Sequence, residues 1–150
     1  MPTDRPDAPA GALTIDSPVL GALTLDADAL YTFPLGLVGM EAARRFAVLD
    51  AERPGFSWLQ SVDDPALVFV VADPFAVIPG YAVDIPDAEL APLGPATPAD
   101  LLVLVIVTLG AGGAATANLR APLVLNVATR QGRQVVLADD RLSITEPLAL

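Results

Sequence analysis

Short apolar runs separated by proline, glycine and aspartate dominate the pattern of hydrophobic and polar positions along this chain. Runs of this length, rich in β-branched residues and bounded by turn residues, are typical of β-strands. Two of them, 67–71 and 101–107, are continuously apolar, as expected for strands that are covered on both sides. The pattern predicts strands at residues 19–25, 30–33, 45–50, 57–62, 67–72, 101–109, 123–129 and 133–138, with a further one at 142–145.

Helix signals are few. Residues 86–91 have the composition of one or two helical turns, and Thr97-Pro98-Ala99-Asp100 combines a capping residue, a proline at the first helical position and a carboxylate at the third. The Gly/Ala-rich segment 110–115 predicts a mobile loop. The regular spacing predicts an all-β fold class: a small antiparallel β-barrel-like single domain over 13–150 with one or two short helical turns, preceded by a flexible tail at 1–12.

The strongest local signal is a hairpin within residues 116–137. Apolar runs at 123–127 and 135–137 flank a polar connection containing Gly132, which is expected to adopt the positive φ of a tight return. Asn118 and Asn126 lie inside or beside apolar sequence, and Arg130 and Arg133 flank the glycine. These polar residues indicate a role beyond filling a core.

Composition favours one well-filled domain, since 53% of the 150 residues are apolar. The longest apolar run has nine residues, whereas a membrane-spanning helix needs about 20, so no membrane association is expected. The first residues lack the basic start and apolar stretch of a secretory signal, and a cytoplasmic location is therefore expected.

Charge and residue types narrow the chemistry. Eighteen acidic residues against eight basic ones, all arginine, give a net charge of −10, which disfavours direct nucleic-acid binding and favours a basic protein partner. The chain has no histidine and no cysteine, so a Ser-His-Asp or Cys-His relay cannot be built and zinc loses its usual ligands. Ser57 and Ser61 accordingly have no base to activate them.

Several segments, taken together and in order, resemble the FliW family of flagellar assembly factors. The matching segments are YTFPLGLVGM at 31–40, FSWLQSVDDP at 56–65, VADPF at 71–75, YAVDIP at 81–86, ANLRAPLVLN at 117–126 and RQGRQVVL at 130–137. Val38 and Met40 replace a proline and an aromatic residue of the family pattern, and the Gly/Ala-rich segment 110–115 also departs from it.

The resemblance implies a small barrel and a non-enzymatic protein without a cofactor or metal. It further implies a cytoplasmic protein that binds flagellin and the translational regulator CsrA, an RNA-binding protein that represses flagellin synthesis. By antagonising CsrA, such a protein controls how much flagellin is made.

Three carboxylates lead to an alternative function. Asp63, Asp64 and Asp73 lie within eleven residues and are the candidates for a metal-binding or hydrolytic β-barrel. The favoured interpretation is ordinary turn chemistry, in which an aspartate near proline accepts hydrogen bonds from backbone amides. A third possibility, a barrel that encloses a small ligand, requires a sizeable interior cavity.

Other polar and aromatic residues also have two interpretations. Asn118 and Asn126 either tie a loop crossing to the backbone or face a partner, and the structural role is preferred for Asn126. The 33–40 loop either contacts a protein or plugs one end of the barrel. Arg130 and Arg133, on either side of Gly132, either bind phosphate or form a solvated hairpin tip. Phe56 and Trp58, on one face of a strand, are predicted to lie in the core.

The predicted partner-binding surface combines the 33–40 loop, two aspartate turns, the 118–122 crossing and the hairpin. Its residues are Phe33, Pro34, Gly36, Met40, Asp63, Asp64, Pro65, Asp73, Pro74, Phe75, Asn118, Pro122, Asn126, Arg130 and Gly132.

Overall fold

Strands account for most of the regular structure in residues 13–148, the part of the chain that the computed structural model describes. The predicted tail at 1–12 lies outside the described residues. The strands are β1 (Leu13–Ser17), β2 (Gly21–Leu25), β3 (Leu30–Thr32), β4 (Arg45–Asp50), β5 (Phe56–Ser61), β6 (Val68–Ala72), β7 (Leu101–Leu109), β8 (Ala115–Ala117), β9 (Leu123–Asn126), β10 (Gln131–Gln134) and β11 (Glu146–Leu148). The helices are α1 (Pro74–Val77) and α2 (Asp87–Leu90), with single 3-10 turns at Ala27–Ala29, Ala91–Leu93, Pro98–Asp100 and Ala111–Gly113.

Seven strands close into a barrel in the order β7-β6-β5-β4-β3-β10-β9, with β9 pairing back onto β7. Their pairs are antiparallel except for β3 and β10, which run parallel and meet at Thr32 and Gln131. β8 and β11 extend the sheet beyond the second half of β7, and β1 and β2 form a separate hairpin. The predicted all-β barrel is confirmed.

The barrel interior is filled by side chains that alternate along each strand. The cluster comprises Tyr31, Phe33, Leu37, Ala43, Phe46, Leu59, Val71, Leu104, Leu123 and Leu125, with Met40 and Leu67 among the residues packed against it. Phe33 and Phe46 meet edge to face, 5.3 Å between ring centroids. An interior filled in this way contradicts the ligand-enclosing barrel, which needed a sizeable central cavity.

Two further clusters lie on the outer wall. One packs α1, Tyr81 and the C-terminal segment over the outward side chains of β6, β7 and β8. The other packs α2 and Leu93 over Val124, Val135 and Leu137. Burial on both sides explains why β6 and β7 are continuously apolar.

The core prediction is confirmed for Phe56, which packs against a buried cluster of the outer wall, whereas the partly buried Trp58 belongs to none of the three buried clusters of residues 13–148. Both side chains point to the outer face of β5. Leu59, the residue after Trp58, points into the barrel interior. Phe56 packs against the cluster beneath α1. Trp58 is half-buried on the wall, opposite Leu49 on β4 and Val70 on β6. The sheet of a closed barrel separates inward-pointing from outward-pointing side chains. A two-residue period shows which residues share a face, but it does not show which of the two faces is inside.

Six strands were not predicted or differ from the prediction by two residues or more, and one of them, β9, ends at Asn126 instead of residue 129. β1 was not predicted, and residues 18–20 form the turn that joins it to β2, where the Ser17 hydroxyl accepts hydrogen bonds from the Val19 and Leu20 N–H groups. β8 begins inside the segment predicted as a mobile loop, because two small buried residues, Ala115 and Ala117, fit close against β7.

At the other end of the chain, β10 comprises 131–134 instead of 133–138. The Val135 N–H still bonds to the Pro122 carbonyl, but proline has no N–H to return the bond. The last strand, β11, lies at 146–148 instead of 142–145 and pairs with β8.

The predicted hairpin is present, but its turn is not built on Gly132. The loop covers residues 127–130, and the positive φ falls on Arg130 at 60°. Gly132 lies within β10, where a Cβ atom would stand 2.6 Å from two carbons of the Phe33 ring. This glycine is therefore required by close packing and not by backbone conformation.

Candidate partner-binding site

The loops that carry the predicted contact residues divide between the two ends of the barrel, since antiparallel pairing sends successive turns to opposite ends. We call one the loop end; it comprises the 33–40 loop, the β5–β6 turn and the 118–122 crossing. We call the other the cavity end; it comprises the β4–β5 turn at 51–55, the start of α1 and the β9–β10 turn at 127–130.

The 33–40 loop is both a plug and an exposed apolar surface. Phe33 and Leu37 are buried in the barrel core and Met40 packs against it. Leu35 and Val38 point outward and are 65% and 62% exposed. The plug interpretation therefore describes the buried side chains of the loop, and the protein contact of the exposed ones stays a prediction.

Proline and glycine shape this loop without offering side-chain chemistry. Pro34 is exposed, while Gly36 is buried at a φ of 66°. A Cβ at Gly36 would lie 2.6 Å from the Glu41 backbone, so the loop folds back tightly on itself. The exposed apolar residues are thus held by a rigid frame.

Asp63 anchors the start of β4 to the β5–β6 turn. One carboxylate oxygen, Oδ2, accepts hydrogen bonds from the backbone N–H groups of Arg44 at 2.8 Å and Arg45 at 2.9 Å. The other, Oδ1, accepts one from the Arg45 Nε at 3.2 Å. Partial burial acts to raise the pKa of Asp63, but these hydrogen bonds and the arginine charge outweigh it and hold the pKa below its ordinary value.

This geometry predicts a pH-dependent contribution of Asp63 to stability. Because the pKa is lowered on folding, the contribution is fully present above the ordinary carboxyl value of about 4 and is lost as the pH falls through the lower folded value. We expect Asp63→Asn to reduce the free energy of unfolding at pH 7 by about 1 kcal/mol and to flatten its decline between about pH 5 and pH 2. Urea unfolding across this pH range measures both effects.

The matched control is Asp64→Asn, which removes the neighbouring charge at an exposed carboxylate with a single backbone bond, to the Ala66 N–H at 3.2 Å. It should cost less stability at pH 7 than Asp63→Asn. Equal pH slopes for Asp63→Asn and the unmodified protein would contradict the assignment.

The three aspartates do not converge, and the alternative metal-binding or hydrolytic site is contradicted. Asp63 and Asp64 precede β6 and Asp73 follows it, so the strand, about 16 Å long at five residues, separates them. Asp73 caps α1 by accepting a hydrogen bond from the Phe75 N–H at 3.0 Å. Turn chemistry is thus the role of all three. Within residues 13–148, no three carboxylates are placed to hold a metal ion.

The residues next to these aspartates differ in exposure. The Pro65 carbonyl accepts a hydrogen bond from the buried Gln60 Nε2 at 2.8 Å. Pro74 is buried at the first position of α1, while Phe75 is 58% exposed and meets Tyr81 edge to face. Of Pro65, Pro74 and Phe75, only Phe75 presents a large apolar side chain to solvent.

Asn118 and Pro122 belong to the loop end. The Asn118 Oδ1 accepts hydrogen bonds from the N–H groups of Arg120 and Ala121 at 3.1 and 3.2 Å. Gln134 then links this crossing to the 33–40 loop, because its amide nitrogen donates to the Ala121 carbonyl and its Oε1 accepts from the Val38 N–H. The sequence analysis did not single out Gln134, since nothing local signals a side chain that bridges two distant loops.

Asn126 and Arg130 lie at the cavity end, where they hold the β9–β10 turn in place. Asn126 has no exposed surface, and its amide nitrogen donates to the Leu93 carbonyl at 3.1 Å and the Pro95 carbonyl at 3.3 Å. Its Oδ1 accepts hydrogen bonds from the N–H groups of Ala128 and Thr129, which shapes the turn. The structural role preferred for Asn126 matches this geometry.

Arg130 fastens the same turn to β3. Its Nη1 donates to the Tyr31 hydroxyl at 2.6 Å, and its guanidinium lies 4.6 Å from the centroid of that ring. Asp28 stands 4.0 Å from the other terminal nitrogen. The arginine is therefore committed within the molecule and is not free as a phosphate anchor.

The two ends also differ in their cavities. At the loop end, Met40, Ala43, Asp63 and Leu67 line a cavity of about 290 Å³. At the cavity end a larger one, about 540 Å³, is lined by Asp50, Glu52, Arg53, Pro54, Gly55, Phe56, Ser57, Asp73, Leu102 and Leu104. Of these residues, the sequence analysis assigned only Asp73 to a binding surface. The only local signal of this group is the charged turn Asp50-Ala-Glu-Arg-Pro-Gly55.

The fold and these contacts define a class: a small closed β-barrel whose polar candidate residues hold turns and loops in place. None of its helices in residues 13–148 is long and apolar enough to cross a membrane.

Comparison with known proteins identifies the family. The family model described as FliW protein matches residues 14–148. The flagellar assembly factor FliW of Treponema pallidum is 42% identical over 130 residues, covering 86% of this chain and 87% of that protein. The corresponding protein of Symbiobacterium thermophilum is 42% identical over 124 residues, covering 81% and 90%.

A solved structure agrees with the sequence comparison. The crystal structure of a flagellar assembly factor FliW superposes with a TM-score of 0.83 at 33% identity, covering 90% of this chain and 96% of that one. The chain belongs to the FliW family.

Proposed function

We propose that this protein is a non-enzymatic binding module that acts in the cytoplasm on flagellar assembly. In this proposal it binds flagellin and the translational regulator CsrA and thereby controls flagellin synthesis. Membership of the FliW family over 14–148 carries the proposal, because proteins of that name are flagellar assembly factors and share the whole barrel with this chain.

The chemistry of the described residues supports binding over catalysis. The chain has no histidine or cysteine, and the carboxylates that could have replaced them are separated and bonded to backbone amides. A general acid and base must reach one reacting group, and Asp63 and Asp73 face opposite ends of the barrel.

The loop end supports a protein contact. Leu35 and Val38 expose apolar side chains on one loop, and an exposed apolar patch on a folded domain is typical of protein-binding surfaces. The net charge of −10 favours encounter with a basic RNA-binding partner and disfavours RNA itself.

The test mixes the purified chain with flagellin and with CsrA from the same source at low salt. We expect a complex with each on size-exclusion chromatography, and we expect added chain to release CsrA from a flagellin leader RNA in a gel-shift assay. Failure to bind either protein would reject the proposed function.

A pair of variants then locates the contact. Leu35→Ser with Val38→Ser removes the apolar side chains of the loop end, whereas Val19→Ser with Val127→Ser removes two exposed ones in the β1–β2 turn and the β9–β10 turn, 58% and 39% exposed. We expect only the first pair to weaken one of the complexes, by about tenfold or more. Equal effects of the two pairs would place the contact away from the loop end.

A further inference from the structure

The cavity end combines an apolar floor with an acidic rim. Leu102 and Leu104 point into the barrel from β7 and form the floor, and Phe56 adds to the lining from the start of β5. Asp50 and Asp73 stand at the adjoining ends of β4 and β6, and Glu52 lies in the turn between β4 and β5. At about 540 Å³, the space is large enough for one or two long side chains.

The rim carboxylates are not neutralised within the described part of the chain. Asp50 and Asp73 each use Oδ1 for a backbone N–H, of Glu52 and Phe75 respectively, which leaves Oδ2 available. The four ion pairs found in residues 13–148 involve none of Asp50, Glu52 and Asp73. Desolvating three unpaired carboxylates is costly unless a cation arrives with the partner.

The arginine at this end does not supply that cation. The Arg53 guanidinium lies 5.7 Å from the centroid of the Phe56 ring and forms no ion pair with the rim. Its position shows that the wall accepts a guanidinium against an aromatic face. The cavity end therefore keeps negative charge around an apolar space.

An exposed aromatic side chain extends the surface. Phe75 lies two residues after Asp73 and is 58% exposed, held edge to face by Tyr81 at 4.9 Å. Arginine, lysine or a similar cation fits the rim, and apolar neighbours in the same segment fit Phe75 and the floor. Few other ligand classes match both features.

We propose that the cavity end is a docking site for a basic, amphipathic segment of a partner protein, in which a cationic side chain enters between Asp50, Glu52 and Asp73. The inference rests on the proposed function only in taking the partner to be a protein. It assigns this end a ligand chemistry distinct from that of the apolar loop end.

The experiment uses isosteric neutralisation in the full chain. Asp50→Asn, Glu52→Gln and Asp73→Asn together keep the backbone acceptors and the helix cap while removing three charges. The control combines Asp16→Asn, Asp26→Asn and Asp87→Asn, three exposed positions away from the cavity. Both triple variants have a net charge of −7, three less negative than the −10 of the unmodified chain, so a long-range charge effect is the same in both.

The probe is a fluorescein-labelled peptide of alternating arginine and leucine, eight residues long, with fluorescence anisotropy as the readout. We expect the rim variant to bind about tenfold more weakly than the unmodified protein and the control variant less than twofold more weakly. A peptide with serine in place of leucine should also bind more weakly, because it loses the apolar contact with the floor of the cavity. Raising the salt should reduce the difference between the rim variant and the unmodified protein.

Three outcomes would overturn the proposal: no binding of the arginine–leucine peptide, equal affinity of the two triple variants, or a self-association of the unmodified protein in sedimentation that only the rim variant abolishes. The last would assign the site to a second copy of this chain. Because the peptide assay needs neither flagellin nor CsrA, failure of the proposed function leaves its result interpretable.

Discussion

Gly132→Ala is expected to destabilise the barrel by about 2–3 kcal/mol, the range of a core overpacked by one group. The added Cβ would stand 2.6 Å from two carbons of the Phe33 ring. That ring is fully buried and held against Phe46 at the loop end, so it has little room to withdraw. Urea unfolding followed by tryptophan fluorescence measures the loss.

Two comparisons separate the clash from a general effect of replacing glycine. Gly110→Ala adds the same methyl group where the nearest atom is 3.6 Å away and the φ is −104°, and it should change stability by less than about 0.5 kcal/mol. Phe33→Leu replaces the ring that the added methyl group contacts with a smaller side chain. In the double variant we expect a coupling free energy above about 1 kcal/mol, whereas additive losses would show that the ring does not limit position 132.

Asn126→Leu is expected to cost about 3 kcal/mol of unfolding free energy, because it leaves buried carbonyl and N–H groups without partners while preserving side-chain volume. The amide holds the carbonyls of Leu93 and Pro95 on one side and the N–H groups of Ala128 and Thr129 on the other. The change should also loosen the β9–β10 turn, which hydrogen exchange of the Thr129 and Arg130 amides would detect.

Asn118→Ala is the control, since Asn118 is only half-buried and accepts two hydrogen bonds from its own loop. We expect a loss of about 1 kcal/mol. If Asn118→Ala proved as costly as Asn126→Leu, the network that joins the 3-10 turn at Ala91–Leu93 to the hairpin would not be the source of the effect.

The local sequence pattern was sufficient to predict the strands that have long apolar runs. β4, β5, β6 and β7 were predicted within one residue at each end because their apolar runs are long and bounded by turn residues. β8 was missed because it has only three residues and two of them are alanine, which is depleted in strands, so that only the close fit against β7 makes this segment a strand. The capping box of Thr97 and Asp100 was predicted because it is complete within four residues.

The candidate site was less predictable because its parts come from distant segments. Asp63, Asp64 and Asp73 are neighbours in the chain, yet β6 places them at opposite ends. Val38 and Gln134, 96 residues apart, are joined by one hydrogen bond. The predicted contact residues therefore form two surfaces, and their partner-binding role stays a prediction.

By itself, the sequence determined the all-β class, the resemblance to the FliW family and the absence of histidine and cysteine chemistry. These follow from residue types and short spacings, which need no knowledge of distant partners. Only the tertiary structure decided that β3 and β10 close the barrel in parallel, that Gly132 serves the Phe33 ring, and that a cavity lies between Asp50 and Asp73. Each of these depends on strand pairing across long chain separations, where the free energy is set by the fit of many surfaces together and is not encoded in any one segment.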